Sequence, residues 1–122
     1  MAKNLEMVFL MDVYGPALTQ KQREVLEYYY CDDLSLAEIS QNSGISRQGV
    51  RDSIKRGEGI MLELEQELGF AGRLKIQQQD CERILASAEL IKNENNAFVR
   101  SDTIAHEIEK IIAAVGELES DD

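Results

Sequence analysis

Tryptophan is absent, histidine and proline occur once each (His106, Pro16), and cysteine occurs twice (Cys31, Cys81) in a chain of 122 residues. Two cysteines without C-x-x-C spacing or a neighbouring histidine exclude a disulfide scaffold. They read as buried free thiols of a reducing cytoplasm. A single histidine has no companions for a metal site and lies off the apolar stripe around it, so it reads as a surface residue. The longest uncharged apolar run covers residues 7–11, far short of the roughly 20 residues a membrane span requires. No basic segment followed by an apolar core opens the chain, so neither membrane insertion nor a signal peptide is expected. Gly-rich phosphate loops, G-x-S-x-G and H-E-x-x-H are all missing. The glutamates of residues 63–67 and the pair Glu107 and Glu109 fall as solvated helix faces rather than as acid–base pairs. An enzyme is therefore not expected, and no cofactor or metal is implied. Positive charge is scarce as well: 13 Lys and Arg stand against 23 Asp and Glu, a net charge of −10 and a pI of about 4.6. That balance disfavours indiscriminate adhesion to nucleic acid or anionic lipid.

What is present is helical patterning. Apolar content of 43% with 30% charged residues suits one small folded unit, or one small domain with an appended element. Helix formers dominate and no alternating strand pattern is sustained, so the fold class is all-α. Leu5 and residues 7–11 predict a first, strongly apolar helix that ends before the Gly15-Pro16 turn. Thr19 and Gln22 have capping-box spacing and start a second helix that reaches about Tyr30, where Asp32-Asp33-Leu34 break it. Ser35 and Glu38 repeat the capping box for a third helix through about Asn42, with Gly44 as its C-cap.

From Ser46, Val50, Ile54, Met61, Leu64 and Leu68 recur at three- and four-residue steps if Gly57 fills one slot. They predict a fourth helix of about 24 residues that bends or frays near Gly57 and Gly59. Gly69 and Gly72 punctuate its end. A fifth helix carries Leu74, Cys81, Ile84, Leu85, Ala88 and Ile91. A sixth, capped by Ser101, carries Ile104, Ile108, Ile111, Val115 and Leu118. A polar loop at residues 93–96 is expected between them, and an acidic tail that frays closes the chain at residues 119–122. The expected division is 1–69 and 70–122.

Residues 36–50 have the spacing a helix-turn-helix demands. Ser40 is small where two helices must approach, Gly44 sits where a sharp turn favours positive φ, and Val50 faces back into the pair. Ile39, Ile45 and Ile54 supply the contacts that set the crossing. Ser46 caps the second helix of the motif, whose first turns present Arg47, Gln48 and Arg51, with Lys55 and Arg56 beyond. In such a motif the N-terminal residues of the second helix reach base edges in the major groove, Arg suiting guanine and Gln adenine, while more distant cations meet phosphates. Residues 46–57 hold four cations and one anion, a local +3 inside an acidic chain. The candidate DNA-binding set is therefore Ser46, Arg47, Gln48, Arg51, Lys55 and Arg56. Tyr28, Tyr29 and Tyr30 are secondary candidates for base stacking; three adjacent aromatics cannot share one helix face.

This stretch, with the leading Leu18-Thr19-Gln20-Lys21-Gln22-Arg23-Glu24-Val25-Leu26, resembles the C-terminal promoter-reading region of bacterial sigma factors, without a wing. Tyr14-Gly15, the Leu-Thr-x-Lys-Gln start, the three tyrosines followed by Asp32-Asp33-Leu34-Ser35-Leu36-Ala37-Glu38-Ile39, and Ser46-Arg47-Gln48-Gly49-Val50 are together similar to the YlxM family of small helix-turn-helix proteins. The likeness covers about residues 4–70. It implies an all-helical fold, a bacterial cytoplasmic location and a regulatory link to the signal recognition particle pathway.

The stripes of the fourth, fifth and sixth helices can be buried within one chain or across a dimer axis. Their length in so short a chain favours a homodimer, with residues 70–122 as the dimerisation element. Two reading helices about 34 Å apart would suit a palindromic double-stranded DNA site. The alternative is a non-DNA-binding adaptor whose acidic surface docks a basic component of the signal recognition particle or its receptor.

Overall fold

The computed structural model describes residues 4–120, and among these there is helix and no strand. Six α-helices follow in order: α1 Leu5–Tyr14, α2 Gln20–Leu26, α3 Leu36–Ser43, α4 Arg47–Leu68, α5 Phe70–Glu94 and α6 Asp102–Glu119. Contacts among the described residues divide them into two compact units, with the boundary between Gly72 and Arg73.

In the first unit the helix starts are built by side chains the sequence marks as caps. Thr19 Oγ1 accepts from the Gln22 N–H at 3.1 Å while Gln22 Oε1 accepts from the Thr19 N–H at 3.0 Å. Ser35 and Glu38 make the same reciprocal pair at 3.1 Å each way. Ser46 Oγ accepts from the Gly49 N–H at 3.0 Å. Each such cap satisfies donors that the first turn leaves open and contributes about 1 kcal/mol. α1 stops at the single-turn 3-10 helix Gly15–Ala17, as the Gly-Pro pair dictates.

Past Leu26, α2 widens into a π-turn, Glu27–Cys31. There the Asp32 N–H donates to the Glu27 carbonyl at 3.0 Å, and Leu34 donates to Tyr28 at 3.0 Å. Asp33, at φ 54°, then turns the chain into α3. The three tyrosines ride on this π-turn. All are half-buried and packed on the core, and Tyr29 and Tyr30 stand edge to face with centroids 4.9 Å apart.

The core of this unit is centred on Val25, Leu26, Ile39, Val50 and Met61, all fully buried. Met7, Leu10, Met11 and Tyr14 of α1, together with Leu18, Ile54 and Ala71, complete it. Burial of side chains of this size contributes roughly 1.5–3 kcal/mol each. α4 runs unbroken for 22 residues, so the bend or fraying expected at Gly57 and Gly59 does not interrupt it. Gly57 is instead a point of contact: a Cβ there would lie 2.5 Å from Leu26 Cδ1. The missing side chain lets α2 lie directly on α4. α4 ends at Gly69 in the left-handed conformation, φ 65°. Gly72, expected to punctuate with it, lies inside α5, because one left-handed residue already makes the turn.

Still within the first unit, Glu65 caps the start of α5. Its Oε1 accepts from the Tyr14 hydroxyl at 2.6 Å and from the Ala71 N–H at 2.9 Å, and its Oε2 accepts from the Gly72 N–H at 3.0 Å. The Tyr14 oxygen in turn accepts from the Phe70 N–H at 3.2 Å. A carboxylate thus caps α5 from a distance, as the positive end of the helix dipole favours. The Tyr14 bond, ahead of the two backbone donors, holds the Glu65 carboxyl below its ordinary pKa. Burial first, then the carboxylate, raises the Tyr14 phenol.

The second unit is the remainder of α5 with α6. The polar loop expected at residues 93–96 is not a loop. α5 continues to Glu94, a π-turn follows at Asn95–Val99, and the chain reverses at Arg100, φ 56°. Asn95 is buried and explains the difference: its amide nitrogen donates to the Ser101 carbonyl at 3.0 Å and its amide oxygen accepts from the Ser101 N–H at 2.8 Å. The stripes read from the sequence are buried only in part. Cys81, Ala88, Ile108 and Val115 are buried, whereas Ile84, Ile91, Ile111 and Leu118 are exposed. Cys81 is a buried thiol as expected, but Cys31 is exposed, because the π-turn carries it to the surface. Of the expected acidic tail, Glu119 ends α6, and residues 121–122 lie outside the described residues.

Candidate nucleic-acid interface

α3 and α4 meet across a three-residue turn, Gly44 to Ser46. Gly44 has φ 75° and its N–H donates to the Ser40 carbonyl at 3.0 Å, a left-handed C-cap that a residue with a Cβ adopts only with strain. The Ser40 hydroxyl donates to the Ile45 carbonyl at 2.5 Å, and the Ser43 hydroxyl donates to the Ile39 carbonyl at 2.7 Å. Lys21 Nζ reaches the Ser43 carbonyl at 2.9 Å, so a cation from α2 closes the C-terminal end of α3. Ile39 and Val50 are fully buried and Ile54 nearly so, while Ile45 is half-buried. The small residue, the positive-φ glycine and the inward valine therefore occupy the places their spacing requires.

That arrangement fixes which way α4 presents its first turns. Val50, Ile54, Gly57 and Met61 point into the core, and Arg47, Gln48, Arg51, Lys55 and Arg56 are exposed. No ion pair within the described residues engages any of the four cations. Steps of four place Arg47, Arg51 and Lys55 along one flank of the exposed face, whereas Arg56 lies roughly 100° around the helix from Lys55, on the other flank. Between the flanks lies Asp52, exposed, accepting from Gln48 Nε2 at 3.0 Å. Ser46 is exposed with its oxygen occupied as the N-cap acceptor.

The six candidate residues are thus brought to the start and outer face of one helix. They form two flanks with a carboxylate between them, not a single basic stripe. Two features of this surface went unread in the sequence. One is the Gln48–Asp52 bond, which i,i+4 spacing could have signalled. The other is a surface pocket of about 370 Å³ beside Arg51 and Lys55, lined also by Tyr29, Leu36, Ile54 and Glu58. Tyr29 reaches it because of the π-turn, for which the sequence carries no evident signal. Tyr30 points its hydroxyl to Glu58 instead; burial and this contact raise its phenol well above the ordinary value.

Elsewhere the chemistry is sparse. Among the described residues no group of three His, Cys, Asp or Glu side chains could hold a metal ion, and no helix is long and apolar enough to cross a membrane. His106 is exposed. Partial desolvation of the exposed Cys31, then the carboxylates Glu27, Asp32 and Asp12, raises its thiol and disfavours the thiolate.

Comparison with known proteins places this geometry in a family. The chain is 40% identical over 114 residues to a UPF0122 protein of Thermoanaerobacter sp. (strain X514), covering 93% of this chain and 94% of the relative. It is 37% identical over 110 residues to one from Bacillus cereus (strain AH187), covering 89% and 96%. It is 51% identical over 61 residues to one from Symbiobacterium thermophilum, covering 50% and 57%. The family model that matches, over residues 1–111, carries the description "Putative helix-turn-helix protein, YlxM / p13 like". With the helix-turn-helix built as described and the match spanning most of its length, the chain belongs to the UPF0122 family of YlxM / p13-like proteins.

Proposed function

We propose that the protein is a cytoplasmic, non-enzymatic DNA-binding regulator acting as a homodimer. The observation that carries this reading is the set of four exposed cations on the first turns of α4, engaged by no ion pair within the described residues and aimed by the α3–α4 turn. In the proposed complex the N-terminal part of α4 enters the major groove. Arg47, Gln48 and Arg51 read base edges, Ser46 sets the entry of the helix, and Lys55 and Arg56 hold phosphates. Asp52 orients Gln48 and disfavours sequences that would place the acceptor edge of a guanine against its carboxylate. Two copies present paired reading helices to a double-stranded, palindromic site. The decisive measurement is an electrophoretic shift on fragments from the protein's own operon. Arg47→Ala/Arg51→Ala is expected to weaken binding to the preferred site by about 100-fold, at roughly 1–3 kcal/mol per base contact. Lys55→Ala weakens binding about equally on every sequence. Undiminished binding by the double variant would overturn the reading.

A second reading is supported by α6, whose own residues include five carboxylates, Asp102, Glu107, Glu109, Glu117 and Glu119, and one cation, Lys110, with Lys92 of α5 pairing Glu109 at 3.2 Å. This acidic helix suits a basic protein or ribonucleoprotein surface, and the family likeness makes the signal recognition particle and its receptor the partners to try. Retention of either at low salt, lost on neutralising the α6 carboxylates, supports an adaptor role; absence of retention at every salt concentration ends it.

A further inference from the structure

The second unit leaves open more apolar surface than a two-helix pair requires. Eight of the twelve large hydrophobic residues exposed among those described belong to it, so the excess is local rather than general. The surface buried between α5 and α6 is narrow. Its buried side chains are Cys81 and Ala88 of α5 and Ile108 and Val115 of α6, and two of these four are among the smallest apolar ones. Beside that seam runs a second stripe. Ile84 and Ile91 on α5 and Ile111 on α6 remain 45%, 49% and 42% exposed. With Ala88 and Ile108 they line an open groove of about 510 Å³. On α5 the stripe is rotated roughly 40–60° from Cys81 and Ala88, so the two together make a face as broad as a bundle helix presents to more than one neighbour. A pair of helices that buries so little does not account for its own stability.

We infer that α5 of a second copy of this chain fills the groove, closing a four-helix bundle about a two-fold axis. The inference rests on the homodimer reading above and assigns its interface. Charge selects this occupant. The groove lining carries one carboxylate, Asp80, and one guanidinium, Arg83, and they lie 3.6 Å apart, so nothing there recognises a strongly charged partner. α5 as a whole holds four cations and four anions, whereas α6 holds one cation and five anions. A two-fold contact of α5 on α5 therefore joins neutral helices and leaves the acidic helices apart, and the reverse contact would oppose five carboxylates to five. A basic partner is drawn to the carboxylates of α6 and not to the groove. The size is of the same order as an interface needs: at about 27 Å for α6 and about 20 Å for two helices side by side, the face covers roughly 500 Å² in projection and more with its corrugation. A standard interface takes roughly 800 Å² per partner.

The test uses the full chain. Light scattering or sedimentation equilibrium is expected to give twice the chain mass of 13.8 kDa. Ile84→Glu/Ile91→Glu is expected to weaken the dimer by about 100-fold or more, since it places carboxylates at the centre of the contact. Leu90→Glu, on an exposed residue outside the groove, is expected to leave it intact. Because the double variant could lose helix, a second measurement mixes isotope-labelled wild-type chains with Cys31→Ser/Ser87→Cys chains carrying a nitroxide. Amides of residues 80–91 in the labelled chains are expected to broaden. A monomeric wild type overturns this interface and the homodimer reading together. A dimer that survives the Ile84 and Ile91 changes without such broadening overturns the interface and leaves the homodimer reading standing.

Discussion

Gly44 and Glu65 illustrate how much single residues decide in a chain this small. Nothing lies within 4 Å of a Cβ built on Gly44, yet its φ is 75°, so the only obstacle to a side chain there is the backbone conformation. Gly44→Ala is accordingly expected to cost about 1 kcal/mol, read as a lower urea midpoint with an unchanged slope. A neutral result would show that the turn between α3 and α4 is not held as described. Glu65 acts through charge. Its pKa is lowered, first by the Tyr14 hydroxyl and then by two backbone donors that together cap α5. A depressed folded-state pKa contributes stability that is fully present above the unfolded value of about 4.3 and is lost as pH falls through the folded value. Acidification below about pH 4 is therefore expected to lower the melting temperature of the wild type. In Glu65→Gln that part of the pH dependence should be missing, and the Ala71 and Gly72 amide shifts should no longer follow a titration. Equal acid sensitivity in both proteins would refute this role.

At the scale of elements, α4 is the organiser. Its first turns carry the candidate interface and its middle receives α2. Gly57 allows the second of these, since a Cβ there would meet the fully buried Leu26 at 2.5 Å. Gly57→Val is expected to destabilise the protein by about 2–3 kcal/mol through overpacking, although valine is the better helix former. Thermal unfolding followed by circular dichroism measures it, and an increase in stability would contradict the packing. Sequence spacing located this glycine on the inward stripe but assigned it to bending, because a pattern of apolar steps contains no information about what lies opposite. The same limit applied at residues 93–96. Four polar residues in a row suggest a loop, whereas Asn95 is buried with both ends of its amide bonded to Ser101. Caps behaved differently. Thr19, Ser35, Ser46 and Ser101 were legible because capping is a local bargain between a side chain and amides two or three residues away.

For the molecule as a whole, the net charge of −10 sets the terms on which nucleic acid could be bound. With Lys55 and Arg56 of α4 on phosphates, the logarithm of the binding constant is expected to fall against that of salt concentration with a slope of roughly −2 per reading helix. Lys55→Ala should reduce its magnitude by about 1. A slope near zero in a salt titration would exclude the α4 cations as the contact. The helical class, the order and caps of the helices, the positive-φ turn at Gly44 and the concentration of cations in residues 46–57 are all legible in the order of residues along the chain. All of these depend on interactions within a few residues. Only the packing of distant segments puts the cations on two flanks about Asp52, sets Tyr29 beside a pocket at Arg51 and Lys55, exposes Cys31 and leaves Ile84 and Ile91 of the α5 stripe uncovered. Those outcomes depend on which faces meet, and that is fixed only when distant segments pack against one another.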